Sequence, residues 1–230
     1  FILYPSTHGF RKTYSCETQL ASFSHKLTVI LDHSSQADCI FLDFSKAFDK
    51  VSHSLLMHKL HQLNLDKKLL TWIEFFLNNR SQYVAANAVN SRHTAVQSGV
   101  PQGSVLGPLL FLIYVNDLPT CLYSHVHLFA DDCVIFRELS SDADVTALQT
   151  DLTAVSIWCQ KWLMQLNVNK CKVMRVSRTT NSPPTYSLND LALDTVSSYK
   201  YLGLHITSPL NWAIHTEHMR DDREINKINE

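Results

Sequence analysis

The sequence predicts an α+β domain built on a largely antiparallel sheet, and three observations carry that expectation. Apolar runs at residues 126–130 and 133–136 flank Asp131 and Asp132, which is the pattern of a β-hairpin closed by a two-residue turn. Helix-spaced and strand-spaced segments intermix without strict strand–helix–strand alternation. No glycine-rich phosphate loop follows a strand, which argues against a doubly wound parallel sheet.

Each element follows from its own pattern. Residues 8–30 open with a polar Gly-Phe-Arg-Lys stretch and continue as a helix with Leu20, Phe23, Leu27 and Ile30 at helical spacing. A turn covers residues 32–38. Residues 39–44 are apolar apart from Asp43 and predict a buried strand with a carboxylate at its end. Ser52 or Ser54 caps a helix running to about Leu63, and Asp66 caps another whose Leu69, Ile73 and Phe76 share a face. Residues 81–89 read as a strand and 98–103 as a loop. Residues 104–115 read as an apolar helix that tolerates Pro108 in its first turn. Val145, Leu148, Leu152, Val155, Cys159, Trp162 and Leu166 mark the clearest helix; one short stripe in a mixed chain indicates core packing more than a coiled coil. Residues 172–176 and 200–206 are predicted strands, separated by a turn-rich stretch through Pro183 and Pro184.

At 230 residues with 45% hydrophobic content, the chain supports one substantial core, or one core plus a small appendage. Its five glycines and seven prolines, with no low-complexity tract, exclude fibrous and disordered classes. The most hydrophobic region is interrupted by His125, His127 and the aspartates, so no membrane span is expected and the chain reads as soluble. Six cysteines lack zinc-ligand spacing and no secretory signal is visible, so they read as reduced, buried and intracellular. The net charge of −1 is not the basic footprint of a polyanion-binding protein. Between Asp151 and Asp190, however, Lys161, Lys170, Lys172, Arg175 and Arg178 occur without an acid, as either a solvated face or a local basic surface. A start at Phe1 without an initiator methionine and a polar end at Glu230 give the expectation of an excised segment.

Asp43 follows Ile40, Phe41 and Leu42, and Asp131 and Asp132 lie within an apolar stretch. Burying ionised carboxylates is costly unless a cation compensates. Hard oxygen ligands suit magnesium, and two such ions about 3.5 to 4 Å apart activate an attacking hydroxyl and stabilise the leaving oxygen. Aspartate is also a common turn residue, and spacing alone leaves both readings open.

Several stretches resemble successive motifs of one family. Phe41-Leu42-Asp43-Phe44-Ser45-Lys46-Ala47-Phe48-Asp49, Ser98-Gly99-Val100-Pro101-Gln102-Gly103-Ser104 and Phe129-Ala130-Asp131-Asp132 look like three palm motifs of reverse transcriptases of non-LTR (LINE-type) retrotransposons, in the right order. Leu166-Asn167-Val168-Asn169-Lys170 and Tyr199-Lys200-Tyr201-Leu202-Gly203 resemble two later palm motifs, and His8-Gly9-Phe10-Arg11-Lys12 the last part of the fingers. The resemblance covers residues 8 to about 212. It implies a polymerase palm at 39–207, a partial fingers segment (a remnant of the fingers) at 1–38, and a truncated start of the thumb or a linker at 208–230.

By that similarity Asp43 and Asp131 are the principal metal ligands, with Asp132 beside them and the Phe44 backbone carbonyl added. Phe48 is implied to exclude a 2′-hydroxyl beneath the incoming sugar, with core packing as its ordinary alternative. Gln102 and Gly103 are implied to touch the incoming nucleotide and its template base, or else form a plain loop-to-helix junction. Lys170 is implied to protonate departing pyrophosphate, or is a surface lysine. Tyr201, Leu202 and Gly203 are implied to grip the primer, or form an ordinary strand.

The implied function is an RNA-directed DNA polymerase core working by two-metal nucleotidyl transfer. Its cofactor is two Mg2+ ions, with Mn2+ a substitute. Its partners are an RNA template, a DNA primer, deoxynucleoside triphosphates, and the missing fingers and thumb segments of a parent polyprotein. The implied location is cytoplasmic or nuclear. The alternatives are a non-catalytic remnant with at most weak nucleic-acid binding, and another two-metal enzyme of phosphate esters.

Overall fold

The computed structural model describes residues 3–33, 35–217 and 219. Helix α1 (Cys16–Asp32) begins where the Ser15 side chain accepts the Thr18 amide and Thr18 Oγ1 accepts the Ser15 amide, a reciprocal cap. It buries Phe23, Leu27 and Ile30, as the spacing predicts. Strand β1 (Gln36–Leu42) is buried on both faces: Ile40 and Leu42 enter one apolar cluster, while Ala37, Cys39 and Phe41 enter another. This is why it reads as a continuous apolar run. The strand starts inside the predicted turn, so Asp38 is a strand residue, and the anticipated segment boundary after residue 38 cuts through β1.

Helices α2 (His53–His61) and α3 (Lys67–Leu77) follow. The buried face of α3 is Leu70, Ile73 and Leu77: Ile73 is as predicted, while Leu70 and Leu77 take the places of exposed Leu69 and half-buried Phe76. The single strand predicted at 81–89 is instead a set of two-residue, solvent-exposed pieces: β2 (Ser81–Gln82), β3 (Ala85–Ala86), β4 (Val89–Asn90) and β5 (Thr94–Ala95), paired β2 with β5 and β3 with β4. The apolar residues there meet no core, so they make exposed ribbons rather than a buried strand. Helix α4 (Leu106–Val115) carries Pro108 in its first turn, where no intrahelical donor is lost.

Strands β6 (His125–Phe129) and β7 (Asp132–Leu139) form the predicted hairpin. Its turn is Ala130–Asp131, one residue earlier than expected, with Ala130 at φ +54 and Asp132 paired with Phe129. Helix α5 (Asp142–Lys161) stops short of the predicted Leu166: Leu163 turns left-handed at φ +54, and Leu166 instead bridges Phe44. Strand β8 (Lys172–Val176) is as predicted. Then come β9 (Ser187–Leu188), β10 (Leu191–Ala192), β11 (Asp194–Thr195), β12 (Ser198–Tyr201) and β13 (Leu204–Thr207). The strand predicted at 200–206 is therefore a hairpin, because Leu202 and Gly203 both take positive φ, the geometry that two-residue hairpin loops favour.

The main sheet runs β11-β8-β1-β7-β6, antiparallel except for β11 against β8. One face is covered by α2, α3, α4 and α5 through Leu56, Ile73, Phe111, Leu152 and Trp158. The other is covered by α1 and the β12–β13 hairpin through Phe23, Leu27, Tyr201 and Ile206. Phe23 touches Phe41, Phe136 and Tyr201 edge-on at 5.1–6.3 Å, so cutting it to alanine removes about 3–5 kcal/mol. The outer edge of β6 is occupied: the Leu128 amide bonds the Ser6 carbonyl at 3.0 Å and the His8 amide bonds the Leu128 carbonyl at 2.9 Å. Gly9 continues this approach so closely that a Cβ would lie 2.5 Å from the Ala130 nitrogen.

Among the described residues no helix is long and apolar enough to cross a membrane. All six cysteines are free; Cys39, Cys133, Cys159 and Cys171 are buried as expected, whereas Cys16 is half-buried and Cys121 exposed. Three of the five cations in the acid-free basic stretch are paired with acids from elsewhere in the chain. Arg175 pairs with Asp38 at 2.7 Å, Lys172 with Asp194 at 2.6 Å and Arg178 with Asp32 at 3.0 Å. The anticipated thumb or linker at 208–230 lies outside the described residues at 218 and 220–230.

Candidate active site

Asp43 is the first residue past β1, and the chain around it is held by a second segment. Its amide donates to Cys171 Sγ at 3.4 Å, its carbonyl accepts the Asn167 amide at 2.8 Å, and the Ser45 amide donates to the Gln165 carbonyl at 2.8 Å. These bonds centre on the Phe44–Leu166 bridge and use the carbonyl of Asp43 and the amide of Ser45, leaving the Phe44 carbonyl outside the pairing. The same arrangement delivers Lys170, whose Nζ lies 4.0 Å from Asp43 Oδ2. With 68% of the Lys170 side chain exposed, this is a loose, solvated pair.

The register β1–β7 ends at Leu42 opposite Cys133, so Asp43 emerges beside Asp132 at the hairpin tip. Desolvation, then the negative charges of Asp131 and Asp43, push the Asp132 carboxyl up to about 6. The Asp132 residue is exposed, so the group stands at the hairpin tip and not in the core. The fold thus brings Asp43, Asp131 and Asp132 within mutual electrostatic range. Among the described residues, no group of three or more His, Cys, Asp or Glu is already gathered as a metal cage. The donors are hard oxygens that repel one another, which is the donor set a divalent cation fits.

Phe48 sits in a short 3-10 turn (Ala47–Lys50) entered through Lys46 at φ +51. Its ring stacks on Phe111 at 4.4 Å and meets Phe10 edge-on at 6.3 Å, leaving it half-buried. The loop bearing Gln102 and Gly103 is hooked onto this turn. The Gly99 amide bonds the Val51 carbonyl at 2.8 Å, the Val100 amide the Phe48 carbonyl at 2.9 Å, and Gln102 Nε2 the Asp49 carboxylate at 3.3 Å. Gly99 takes φ +88 against the Asp49 backbone, where a Cβ would come within 2.9 Å. Gln102 and Gly103 are both exposed.

Tyr201, Leu202 and Gly203 separate. Tyr201 is 2% exposed and its hydroxyl accepts a hydrogen bond from Gln19 Nε2 at 2.9 Å, so its side chain anchors the hairpin to α1; Leu202 and Gly203 form the tip. Two further residues reach the site: Tyr199, which lies in the stretch 199–203 without an assigned role, and Cys171, which lies in none of the stretches. Tyr199 stacks on Phe41 at 3.9 Å, and burial with the charges of Asp132 and Asp43 raises its phenol. Cys171 holds the Asp43 amide.

An antiparallel sheet with helices on one face, a helix and hairpin on the other, and carboxylates at the end of its central strand and at the adjoining hairpin tip defines a polymerase palm. The family model "Reverse transcriptase (RNA-dependent DNA polymerase)" matches residues 2–206, and the chain belongs to that family. The RNA-directed DNA polymerase from mobile element jockey of Drosophila melanogaster is 30% identical over 216 residues, covering 90% of this chain and 24% of that protein. The probable RNA-directed DNA polymerase from transposon BS of the same organism is 27% identical over 227 residues, covering 93% of this chain and 25% of that protein. The chain therefore spans about a quarter of the length of the curated relatives it matches. Among solved structures, telomerase from Candida albicans in complex with a fragment of telomeric RNA aligns with a TM-score of 0.62 at 14% identity, covering 88% of this chain and 34% of that one, a likeness of fold.

Proposed function

We propose that this chain is the palm of an RNA-directed DNA polymerase that extends a DNA primer with deoxynucleoside triphosphates on an RNA template. The observation that carries this reading is the convergence of Asp43 with the Asp131–Asp132 tip, where partial desolvation and the neighbouring negative charges push Asp132 up to about 6. Asp43, Asp131, Asp132 and the Phe44 carbonyl would hold two Mg2+ ions, or Mn2+ in their place. Bound there, the ions would lower the pKa of the primer hydroxyl and stabilise charge on the transferring phosphoryl group. Phe48, braced by Phe111, faces the sugar by bulk; Gln102 and Gly103 approach the nucleotide and template base; Lys170, free to reorient from Asp43, gives its proton to pyrophosphate. Leu202 and Gly203 touch the primer, with Tyr201 anchoring their hairpin. The protein works inside the cell, with fingers and thumb supplied by a longer polyprotein.

A second reading, a non-catalytic remnant, is favoured by one observation: Lys172, Arg175 and Arg178 are all committed to acids of this chain. Primer extension on RNA, measured with native flanking segments and added Mg2+, separates the readings. Product supports the polymerase. Nucleic-acid binding without product supports the remnant, and cleavage without synthesis supports a different phosphate-ester enzyme.

A further inference from the structure

The region between the two carboxylate-bearing segments carries a surface that the proposed chemistry does not use. Helix α3 buries Leu70, Ile73 and Leu77, so at 100° per residue the opposite stripe is Lys68, Trp72 and Phe75. Both rings are open to solvent, Trp72 at 52% and Phe75 at 72% exposure. The stripe leads into the ribbons, where exposed Tyr83 meets His93 across the strands at 4.7 Å. The charge here runs against the chain as a whole. From residue 67 to 98 the sequence has Lys67, Lys68, Arg80 and Arg92 against a single acid, Glu74, in a protein of net charge −1. Every ion pair among the described residues lies elsewhere, at Lys59, Arg137, Lys170, Lys172, Arg175 and Arg178.

Exposed aromatic rings interleaved with uncommitted cations suit one kind of polymer. Unpaired bases offer π faces to stack on the rings, and the phosphates between them meet the cations. An apolar protein partner would use the rings but would leave the cations uncompensated, whereas duplex nucleic acid would use the cations but keep its bases stacked on one another.

We propose that the outer face of α3 and the adjoining ribbons bind single-stranded RNA, with bases on Trp72, Phe75 and Tyr83 and phosphates at Lys68, Arg80 and Arg92. The strand is the unpaired template, an assignment that rests on the polymerase reading; the binding itself does not.

The test is fluorescence anisotropy of a labelled oligouridylate RNA with this chain in EDTA, so that neither metal nor synthesis enters. Trp72→Ala combined with Phe75→Ala is expected to weaken binding at least about tenfold. Replacing Lys68, Arg80 and Arg92 by alanine is expected to lower the salt dependence by about 0.7 in log–log slope for each phosphate left without its cation. The altered side chains are exposed except for half-buried Arg80, and circular dichroism and thermal unfolding are to check that each variant keeps its fold. Unchanged affinity of the ring variants, an equal loss for duplex RNA, or a clear preference for single-stranded DNA would overturn the proposal. Shielding of Trp72 from acrylamide by flanking protein alone would overturn it too, since the face would then be an internal interface. Asp43→Asn is expected to bind RNA normally, so loss of synthesis and loss of this surface are read separately.

Discussion

Strand β1 leads through two aspartates, five residues apart in sequence, that meet opposite fates. Asp38 is fully buried, yet its carboxylate takes two 2.7 Å hydrogen bonds from Arg175 and one of 2.8 Å from Tyr186. Asp43, half-exposed past the strand end, has among the described residues one loose lysine as its ion-pair partner and lies close enough to Asp132 to raise that carboxyl. The protein neutralises the first charge with its own cation, whereas the second group has, beyond that loose lysine, no close cation among the described residues, as the proposed metal site requires. A carboxylate's role is set by what faces it more than by its depth: Asp38 fastens the sheet, and the Asp43 group invites a ligand.

The open end should show the largest effect. Asp43→Asn and Asp131→Asn, in a protein with its flanks restored, are each expected to lower primer extension by at least about a thousandfold, since the charge that holds catalytic metal is worth several kcal/mol. Folding should be retained, and extension within tenfold of the parent would break the assignment. At the closed end the expected loss is of stability. Asp38→Ala strands Arg175, only 9% exposed, without its counter-charge, and is expected to cost about 3–5 kcal/mol in urea unfolding. A cost below about 1 kcal/mol would show that the pair is replaceable.

Phe48→Val sharpens the contrast from another side. If the open end receives a nucleotide, removing the ring that Phe111 supports should improve ribonucleotide use relative to deoxynucleotide by roughly tenfold or more, measured as a ratio of kcat/KM values. An unchanged ratio returns Phe48 to packing alone.

His127 supplies a third way to bury an ionisable group, which is to keep it uncharged. It is 1% exposed, neither ring nitrogen has a hydrogen-bond partner among the described residues, and burial, with nearby Lys26 and His8, lowers it from 6.5 to about 3. Between those values the unfolded chain holds a proton that the folded chain lacks. Its contribution to stability is therefore fully present above pH 6.5 and is lost as pH falls toward 3, with a slope of up to about 1.4 kcal/mol per pH unit. His127→Phe should flatten that acid limb of the stability curve, and an unaltered slope would assign it to His8 and His125.

What could be read from the sequence depended on how local the cause was. The α1 and α5 stripes and the β6–β7 hairpin were legible because helical spacing and a turn between apolar runs are short-range signals. Asp43 and the hairpin aspartates stood out as carboxylates in apolar runs, but spacing alone left them as turn residues or ligands, and only the family resemblance singled them out. Asp38 was misplaced in a turn because its partner Arg175 is 137 residues away, and nothing nearby announces that a buried carboxylate is compensated. Residues 81–89 read as a strand of ordinary length, but that local reading cannot reveal that no core waits beneath. Tyr199 lay inside a recognised motif without a role of its own, and Cys171 in none; both reach the site only through the packing of distant segments, which no single window of sequence shows.

The docking of residues 6–9 on β6 has a practical consequence for anyone shortening this chain. β6 is the last strand of the sheet on its side, and the Ser6 and His8 bonds occupy amide and carbonyl groups that would otherwise face solvent. A truncation that starts at Arg11 would leave every carboxylate in place and still uncover a strand edge next to the hairpin tip. Bare edges recruit other strands. Such a truncation should come off a sizing column as oligomers, and its lost activity would be mistaken for a catalytic defect when its origin is self-association.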